Sequence, residues 1–151
     1  TSHSKNQEIV CAALQLLDCQ QFADRSYVSL SGGEKQRVQL ARVAAQIWEE
    51  QEDARCLLLD EPSSSLDLSH QEMVLQMLRE FASKGVAVLT VLHDLNLASK
   101  CADRIVTLDE GKVVANGTPA EVLTKSLLED VFHIEASITS NSLDGSVLVV
   151  T

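Results

Sequence analysis

The sequence has no apolar run that approaches the ~20 residues needed for a membrane-spanning helix. Its first eight residues are all polar, so we expect no secretory signal there. Basic residues are scarce: 12 lysines and arginines stand against 22 acidic residues, which gives a formal net charge of −10 at pH 7. Because such a charge repels nucleic-acid phosphates at long range, we expect no nucleic-acid partner. Because no apolar run is long enough, we also expect no direct insertion into a membrane.

The four cysteines include no Cys-x-x-Cys pair, and two of them lie in strongly apolar stretches. Buried thiols in a reducing compartment are therefore expected, rather than a metal site or disulfides, at Cys11, Cys19, Cys56 and Cys101. The remaining composition is that of a soluble globular protein, with 45% hydrophobic and 23% charged residues. A chain of this size buries about two-thirds of the surface that its unfolded form exposes, so we expect a real core.

Two amphipathic helices are predicted in the first third of the chain. Apolar residues recur at helical offsets from Ile9 to Leu17, which indicates a helix over about 7–18. The same pattern returns between Glu34 and Glu50, where we expect a second and longer helix.

A different pattern follows, in which the apolar residues are consecutive. Residues 56–59 form an unbroken apolar run and residues 86–92 form a second run that is apolar except for Thr90; they are closed by Asp60-Glu61-Pro62 and His93-Asp94 respectively. Runs without alternation are typical of strands that are buried on both faces of a parallel sheet. Apolar residues between the runs mark a helix that ends near Gly85, so the segment predicts a strand–helix–strand crossover. The expected fold class is α/β, with helices packed on a mainly parallel sheet.

The last third of the chain carries turn and helix-start signals. Residues 104–108 and 112–115 flank Asp109-Glu110-Gly111, a composition typical of a hairpin turn. Thr118-Pro119-Ala120-Glu121 combines an N-cap, a first-turn proline and a glutamate three residues after the cap, which predicts a helix through about 124. Asp144-Gly145 indicates a terminal hairpin within 134–150.

The start of the second predicted helix, Ser31-Gly32-Gly33-Glu34, has two readings. Ser31 and Glu34 match the Ser-x-x-Glu capping box of ordinary helix starts. Capping does not explain two consecutive glycines, which cost up to ~1 kcal/mol each relative to alanine inside a helix. Glycine allows close approach to the backbone, and a helix start offers free N–H groups and a positive dipole end. The segment therefore also fits an anion site, with phosphate as the natural ligand.

Asp60 and Glu61 follow the first apolar run, at the strand end where open α/β sheets bind ligands. In a phosphoryl-transfer site one carboxylate can organise Mg²⁺ while its neighbour polarises the attacking water. The alternative is a polar turn stopped by Pro62.

His93 ends the second apolar run, so in a parallel sheet it should emerge at the same edge as the two acids. The alternative for His93 is an ordinary polar residue beside an N-cap at Asp94. The other histidines occupy no comparable strand end and are expected at the surface: His3, His70 and His133.

Taken in order, these segments resemble the motifs of the ATP-binding cassette (ABC) ATPases. Residues 30–37 are similar to the ABC signature, 57–61 to the Walker B strand with its catalytic glutamate, 65–67 to the D-loop, and His93 to the switch histidine. The resemblance covers the chain from about Glu8 to Thr124.

Three further stretches resemble the ATP-binding subunits of bacterial importers for haem, iron-siderophores and cobalamin: residues 38–42, 92–98 and 117–123. Haem importers are the most similar of these. The resemblance implies ATP and Mg²⁺ as cofactors, and as partners a second copy of the subunit and transmembrane permease subunits. It also implies a peripheral location at the cytoplasmic face of the bacterial inner membrane.

The resemblance further assigns roles to individual residues. Two subunits would hold ATP between them, each offering its signature to the nucleotide held by the other. Catalysis would fall to Glu61 and His93, while Asp60 would position Mg²⁺ through water. Cofactor binding, and the coupling of the two sites by the D-loop, would fall to Ser31, Gly32, Gly33, Glu34 and Asp67.

No Gly-x-x-x-x-Gly-Lys-Ser/Thr phosphate-binding loop occurs in the sequence. The resemblance is therefore to the C-terminal part of a P-loop NTPase domain, with 1–52 in its helical subdomain and 53–151 in its α/β core. Two other readings stay open. Chromosome-maintenance ATPases carry the same motifs in a lobe separate from their phosphate loop, and a non-catalytic module could descend from an ABC ATPase.

Overall fold

The computed structural model describes residues 2–49 and 54–151, which fall into two compact units. The first unit ends at Val91, and the second runs from Leu92 to Thr151. The predicted boundary between residues 52 and 53 lies outside the described residues.

The described part of the first unit contains three α-helices and two strands. They are α1 (Ser2–Leu16), α2 (Gly32–Gln46), β1 (Cys56–Asp60), α3 (Leu68–Ser83) and β2 (Ala87–Val91). Short 3-10 turns at Gln20–Phe22 and Tyr27–Ser29 connect α1 to α2. Both predicted helices are confirmed with shifted bounds, since α1 starts before the apolar pattern does and α2 starts directly after its N-cap Ser31.

The predicted crossover is confirmed. Strands β1 and β2 pair in parallel, from Cys56 opposite Ala87 to Asp60 opposite Val91, with α3 between them in sequence. Helix α3 starts at its N-cap Asp67, whose side chain accepts a hydrogen bond from the backbone N–H of His70. This α/β arrangement is the predicted fold class, although the parallel pairing among the described strands is confined to β1 and β2.

The core of the first unit lies against one face of the β1–β2 sheet. Leu57 is 3% exposed and shares a cluster with apolar side chains of α2 and α3, among them Leu40 and Phe81. Side chains alternate across a pleated strand, and Leu58 and Leu89, on the other face, are 69% and 60% exposed. Within the described residues of the first unit, the helices cover one of the two faces, and the expectation that both faces are buried is therefore wrong for this unit.

The second unit contains two antiparallel hairpins and three short helices in chain order. They are α4 (Leu95–Cys101), β3 (Ile105–Asp109), β4 (Lys112–Gly117), α5 (Pro119–Val122), α6 (Lys125–Asp130), β5 (Ser137–Ser140) and β6 (Val147–Val150). Both predicted hairpins are confirmed as β3–β4 and β5–β6. The predicted capping box at Thr118 is confirmed and starts α5, whereas α6 follows as a separate helix.

A small core and one side-chain pairing join the elements of the second unit. Buried Leu123, Leu128 and Val149 pack together with Leu95 of α4. The side-chain amide of Asn96 donates to the Val149 carbonyl at 3.0 Å and accepts from the Val149 N–H at 2.8 Å, so it pairs with β6 as a strand residue would.

The cysteine prediction holds for one residue. Cys19 is buried, whereas Cys11 and Cys56 are exposed and Cys101 is half-buried. Cys56 is exposed because it lies on the open face of the sheet. Within residues 2–49 and 54–151, no helix has the length and apolar character required to cross a membrane.

Candidate functional site

The start of α2 is a complete capping box. The Ser31 hydroxyl accepts from the Glu34 N–H at 3.4 Å, and the Glu34 carboxylate accepts from the Ser31 N–H at 2.7 Å. The bond from the Ser31 N–H, followed by that from the Ser31 hydroxyl, lowers the pKa of Glu34, and Arg25 adds to this from 3.8 Å. The structural reading of Ser31 and Glu34 is thus confirmed, and the Glu34 carboxylate is directed back at its own helix start.

The two glycines of the helix start have different surroundings. A Cβ on Gly33 would lie 3.0 Å from the Ser65 carbonyl oxygen, so internal packing alone favours glycine there. A Cβ on Gly32 would meet no atom within 4 Å. The N–H groups of both glycines lie in the first helical turn, where no intrahelical acceptor reaches them. Gly32 is therefore the glycine that packing leaves unexplained, beside an amide face open to a ligand.

Asp67 of the predicted D-loop is held by three contacts to one carboxylate oxygen. This oxygen accepts from the His70 N–H at 3.0 Å and from the Ser69 hydroxyl at 2.8 Å, and His70 Nδ1 lies 2.8 Å away. The backbone bond from His70 has the largest effect, and together the contacts lower the pKa of Asp67 to about 2. The Asp67 carboxylate is therefore charged and fixed in direction at neutral pH.

An open pocket of about 160 Å³ lies between the start of α2 and the D-loop. Its lining residues are Ser31, Gly33, Glu34, Arg37, Ser65, Leu66, Asp67 and His70. The fold thus brings together four of the residues that the sequence analysis selected from two separate motifs.

Two pocket residues were not recognised from the sequence. His70, which was expected at the surface, is half-buried: its side chain is 23% exposed and its Nε2 lies 3.9 Å from the Asp18 carboxylate. Arg37 is buried and donates to the Asp18 carbonyl at 2.7 Å and to the Leu17 carbonyl at 3.2 Å. The three-residue spacing of Asp67 and His70 matches that of an N-cap and its N3 residue, a signal that could have placed His70.

The two acids lie where the strands end together. Asp60 is the exposed last residue of β1, and the N–H of Glu61 donates to the carbonyl of Val91, the last residue of β2, at 3.0 Å. Glu61 has a φ of +46°, in the left-handed region that residues with a side chain rarely adopt. Its carbonyl oxygen accepts from the Gln36 side chain of α2 at 3.0 Å. Helix α2, which begins with the signature, is thus in direct contact with the loop that begins at Glu61.

His93 lies two residues beyond Val91 and belongs to the second unit. Its neighbour Asp94 caps α4 by accepting from the N–H groups of Asn96 and Leu97, at 2.8 and 3.0 Å, as predicted. The catalytic role of His93 stays a prediction, as do the roles assigned to Asp60, Glu61 and the signature residues.

Similar proteins match this chain over nearly its whole length, although no protein-family model matches it. The hemin import ATP-binding protein HmuV of Pseudomonas fluorescens strain Pf0-1 is 49% identical over 146 residues, which are 97% of this chain and 57% of that protein. The protein of the same name from Gloeobacter violaceus is 48% identical over 147 residues, 97% of this chain and 54% of that protein. The chain therefore spans less than two thirds of the length of these relatives.

Solved structures share the fold. A structure described as an inward-facing conformation of a metal-chelate type ABC transporter matches with a TM-score of 0.74 and 28% identity, over 95% of this chain and 55% of that one. An ATP-binding cassette in a dimeric, post-hydrolysis state with ADP and phosphate matches with a TM-score of 0.67 and 28% identity, over 79% and 49%. These likenesses agree in sequence and in fold, and the chain therefore belongs to the ABC-type ATP-binding proteins, of whose nucleotide-binding domain it forms a part.

Proposed function

We propose that the chain is the signature-bearing part of an ATPase subunit that powers an importer for haem or another iron chelate. The observation that carries the ATPase is the pocket in which residues of the signature and of the D-loop meet. Haem as the transported compound is supported by the names of relatives that are 49% and 48% identical.

The signature residues fit the terminal phosphate of ATP. The N–H groups of Gly32 and Gly33 and the Ser31 hydroxyl would bind this phosphate, because a helix start presents donors and a positive dipole end. The open space beside Gly32 leaves room for the phosphate to approach the backbone. The Glu34 carboxylate is occupied by the Ser31 N–H, and the guanidinium of Arg37 in the same pocket is paired with the Asp18 carboxylate at 3.3 Å.

The strand-end residues fit the metal and the water. The exposed carboxylate of Asp60 would hold Mg²⁺ through water, and an oxygen ligand of this kind suits that ion. When bound, Mg²⁺ neutralises charge on the phosphates. Glu61 would polarise the attacking water and accept its proton, while His93 would donate a hydrogen bond to the terminal phosphate. Asp67, held in one direction by His70, would couple the two sites of a dimer.

The proposed subunit acts with partners at the cytoplasmic face of the bacterial inner membrane. These are a second copy, which holds the nucleotide that this signature contacts, and transmembrane permease subunits. The phosphate-binding loop would lie in the part of the subunit outside the matched region. The exposed apolar face around Leu58 and Leu89 supports such a further segment, because an apolar patch of this kind is usually covered in a complete domain.

A chimera in which this chain replaces the matching part of the Pseudomonas fluorescens relative tests the proposal. We expect the purified chimera to release phosphate from ATP, and the isolated chain to bind MgATP very weakly without turnover. Glu61→Gln should lower the chimera's kcat by about 10² to 10⁴, the usual contribution of a positioned base. Steady hydrolysis by the isolated chain that disappears with Glu61→Gln would refute the expected inactivity of the isolated chain. A chimera whose kcat Glu61→Gln leaves unchanged would refute the catalytic role of Glu61.

The compound is tested separately from the ATPase. With the relative's permease in vesicles, the chimera should drive ATP-dependent uptake of hemin in preference to a ferric siderophore. Preferential uptake of the ferric siderophore would contradict haem as the transported compound, but it would not contradict the proposed ATPase activity.

A further inference from the structure

The side chain of Gln36 makes two hydrogen bonds to the backbone of the loop that begins at the catalytic acid. Its Nε2 donates to the Glu61 carbonyl at 3.0 Å, and its Oε1 accepts from the Ser65 N–H at 3.2 Å. One amide group thus fixes both ends of the segment 61–65 relative to α2. Neither end is near Gln36 in sequence, since the two bonds span 25 and 29 residues.

The segment that Gln36 holds is conformationally demanding. Glu61 has a φ of +46°, and a residue with a side chain keeps such a conformation only when its surroundings enforce it. Its N–H is bonded to Val91, and its carbonyl accepts from Gln36 and from the Ser64 hydroxyl at 3.2 Å. These contacts hold the Glu61 backbone, from which its side chain projects, and one of them comes from the signature helix.

Helix α2 touches the same loop at a second point. Gly33, one turn before Gln36, approaches the Ser65 carbonyl so closely that an added Cβ would lie 3.0 Å from it. A shift of α2 along or around its axis would thus move the loop through Gly33 and Gln36 together. Because Ser31 and Gly32 begin this helix, the anion-binding end and the loop contact are parts of one rigid element.

We propose that Gln36 is a positioning residue that couples the signature to Glu61. Contact of the helix start with a terminal phosphate fixes α2, and the Gln36 amide passes that position to the Glu61 backbone. The carboxylate is then aimed for hydrolysis only when the signature is engaged. This inference rests on the proposed function and adds a path by which the nucleotide held by one subunit acts on the catalytic acid of the other.

Gln39 is a matched control for Gln36. It is the same residue type on the same helix, one turn later, and its Nε2 donates to the Tyr27 hydroxyl at 3.0 Å rather than to the loop. Gln36→Met removes both loop contacts with little change of volume. Gln36→Glu keeps an acceptor for the Ser65 N–H and replaces the donor to Glu61 with a carboxylate oxygen, which separates the two contacts.

The first experiment measures amide hydrogen exchange in the chain itself. We expect Gln36→Met to speed exchange at Ser65 and its neighbours, whereas Gln36→Glu and Gln39→Met leave Ser65 protected. Unchanged exchange at Ser65 in Gln36→Met would overturn the proposed contact, whatever the activity of any larger assembly.

The second experiment measures ATP turnover in the chimera described above. We expect Gln36→Met and Gln36→Glu each to lower kcat about tenfold, the effect of one hydrogen bond, with little change of KM for ATP. Gln39→Met should leave both constants unchanged. The coupling would be wrong if the Gln36 variants left kcat unchanged. It would also be wrong if Gln39→Met lowered kcat and the melting temperature as much as Gln36→Met does, because Gln36 would then have only a structural role. An unsubstituted chimera without turnover would instead refute the proposed function, and the coupling with it.

Discussion

The parallel sheet of the first unit has a covered face and an open face that carry the same kinds of residue. Leucine lies on both, buried at Leu57 and largely exposed at Leu58 and Leu89. Amino-acid type therefore does not decide which face is buried. The difference lies in the layer of helices, which α2 and α3 supply on one side only. Both faces of β1 and β2 are therefore apolar enough to be buried, and helices among the described residues cover one of them.

Truncation of one leucine on each face should reveal a large difference in stability between the two positions. Leu57→Ala should lower the free energy of unfolding of the isolated chain by about 2–5 kcal/mol, because it removes buried methyl groups and leaves a cavity. Leu58→Ala should change it by no more than about 0.5 kcal/mol, because that side chain is already in solvent. Urea unfolding followed by circular dichroism measures both. Equal losses at the two positions would show that the faces do not differ.

The same pair of variants in the chimera tests whether a further segment packs on the open face. If the additional segment covers the open face, the loss from Leu58→Ala should rise towards that from Leu57→Ala. A loss that stays as small as in the isolated chain would mean that nothing packs on Leu58.

The two glycines of the signature make a smaller contrast between covered and open positions. Gly33→Ala should cost about 1 kcal/mol or more, because its new methyl group presses on the Ser65 carbonyl. Gly32→Ala should gain about 0.4–1 kcal/mol, because it meets open space and restricts the unfolded chain. Thermal unfolding of the two variants compares them directly. The assignment of Gly33 to packing would be wrong if both substitutions stabilised the chain.

Asp67 is an exposed carboxylate that is nevertheless held by hydrogen bonds, and these bonds should make the stability of the chain depend on pH. Its pKa is lowered from 3.8 to about 2, so its charged form is favoured in the folded state. The stability that it contributes is present above pH 3.8 and is lost as the pH falls towards 2. The difference in unfolding free energy between the native chain and Asp67→Asn should therefore shrink over that interval. A difference independent of pH would contradict the hydrogen-bonded carboxylate.

The smallest effect concerns thiol reactivity. Cys56 on the open face and Cys11 are exposed, whereas burial is the main cause that raises the pKa of Cys19 to about 11. At pH 8, iodoacetamide should label Cys11 and Cys56 in the folded chain and Cys19 only after unfolding, because the thiolate is the nucleophile. Mass spectrometry of digested samples reads the three sites. Early labelling of Cys19 would contradict its place in the core.

Local patterns in the sequence were sufficient for most elements. The apolar period predicted α1, α2 and the crossover, and the capping boxes at Ser31 and Thr118 were readable because their partners lie three residues apart. The start of α1 at Ser2 was missed because its first residues are polar and add nothing to an apolar period.

The contacts that organise the site could not be read in the same way. Gln36 reaches Glu61 across 25 residues, and His70 reaches Asp18 over a separation about twice as long, so their partners become neighbours only in the fold. The open face of the sheet could not be predicted either. An apolar run indicates that both faces of a strand are suited to burial, but it does not show which segments pack on each face.

In the proposed dimer the signature of one subunit completes the nucleotide site of the other, and a mixture of two inactive chimeras can test this arrangement. One carries Gly32→Asp, which places a carboxylate in open space beside the helix start; the other has alanine for the lysine of its phosphate-binding loop. We expect that neither chimera hydrolyses ATP alone and that mixing them restores hydrolysis, because the mixed dimer contains one site with an intact loop and an intact signature. Mixed dimers that form and remain inactive would contradict it.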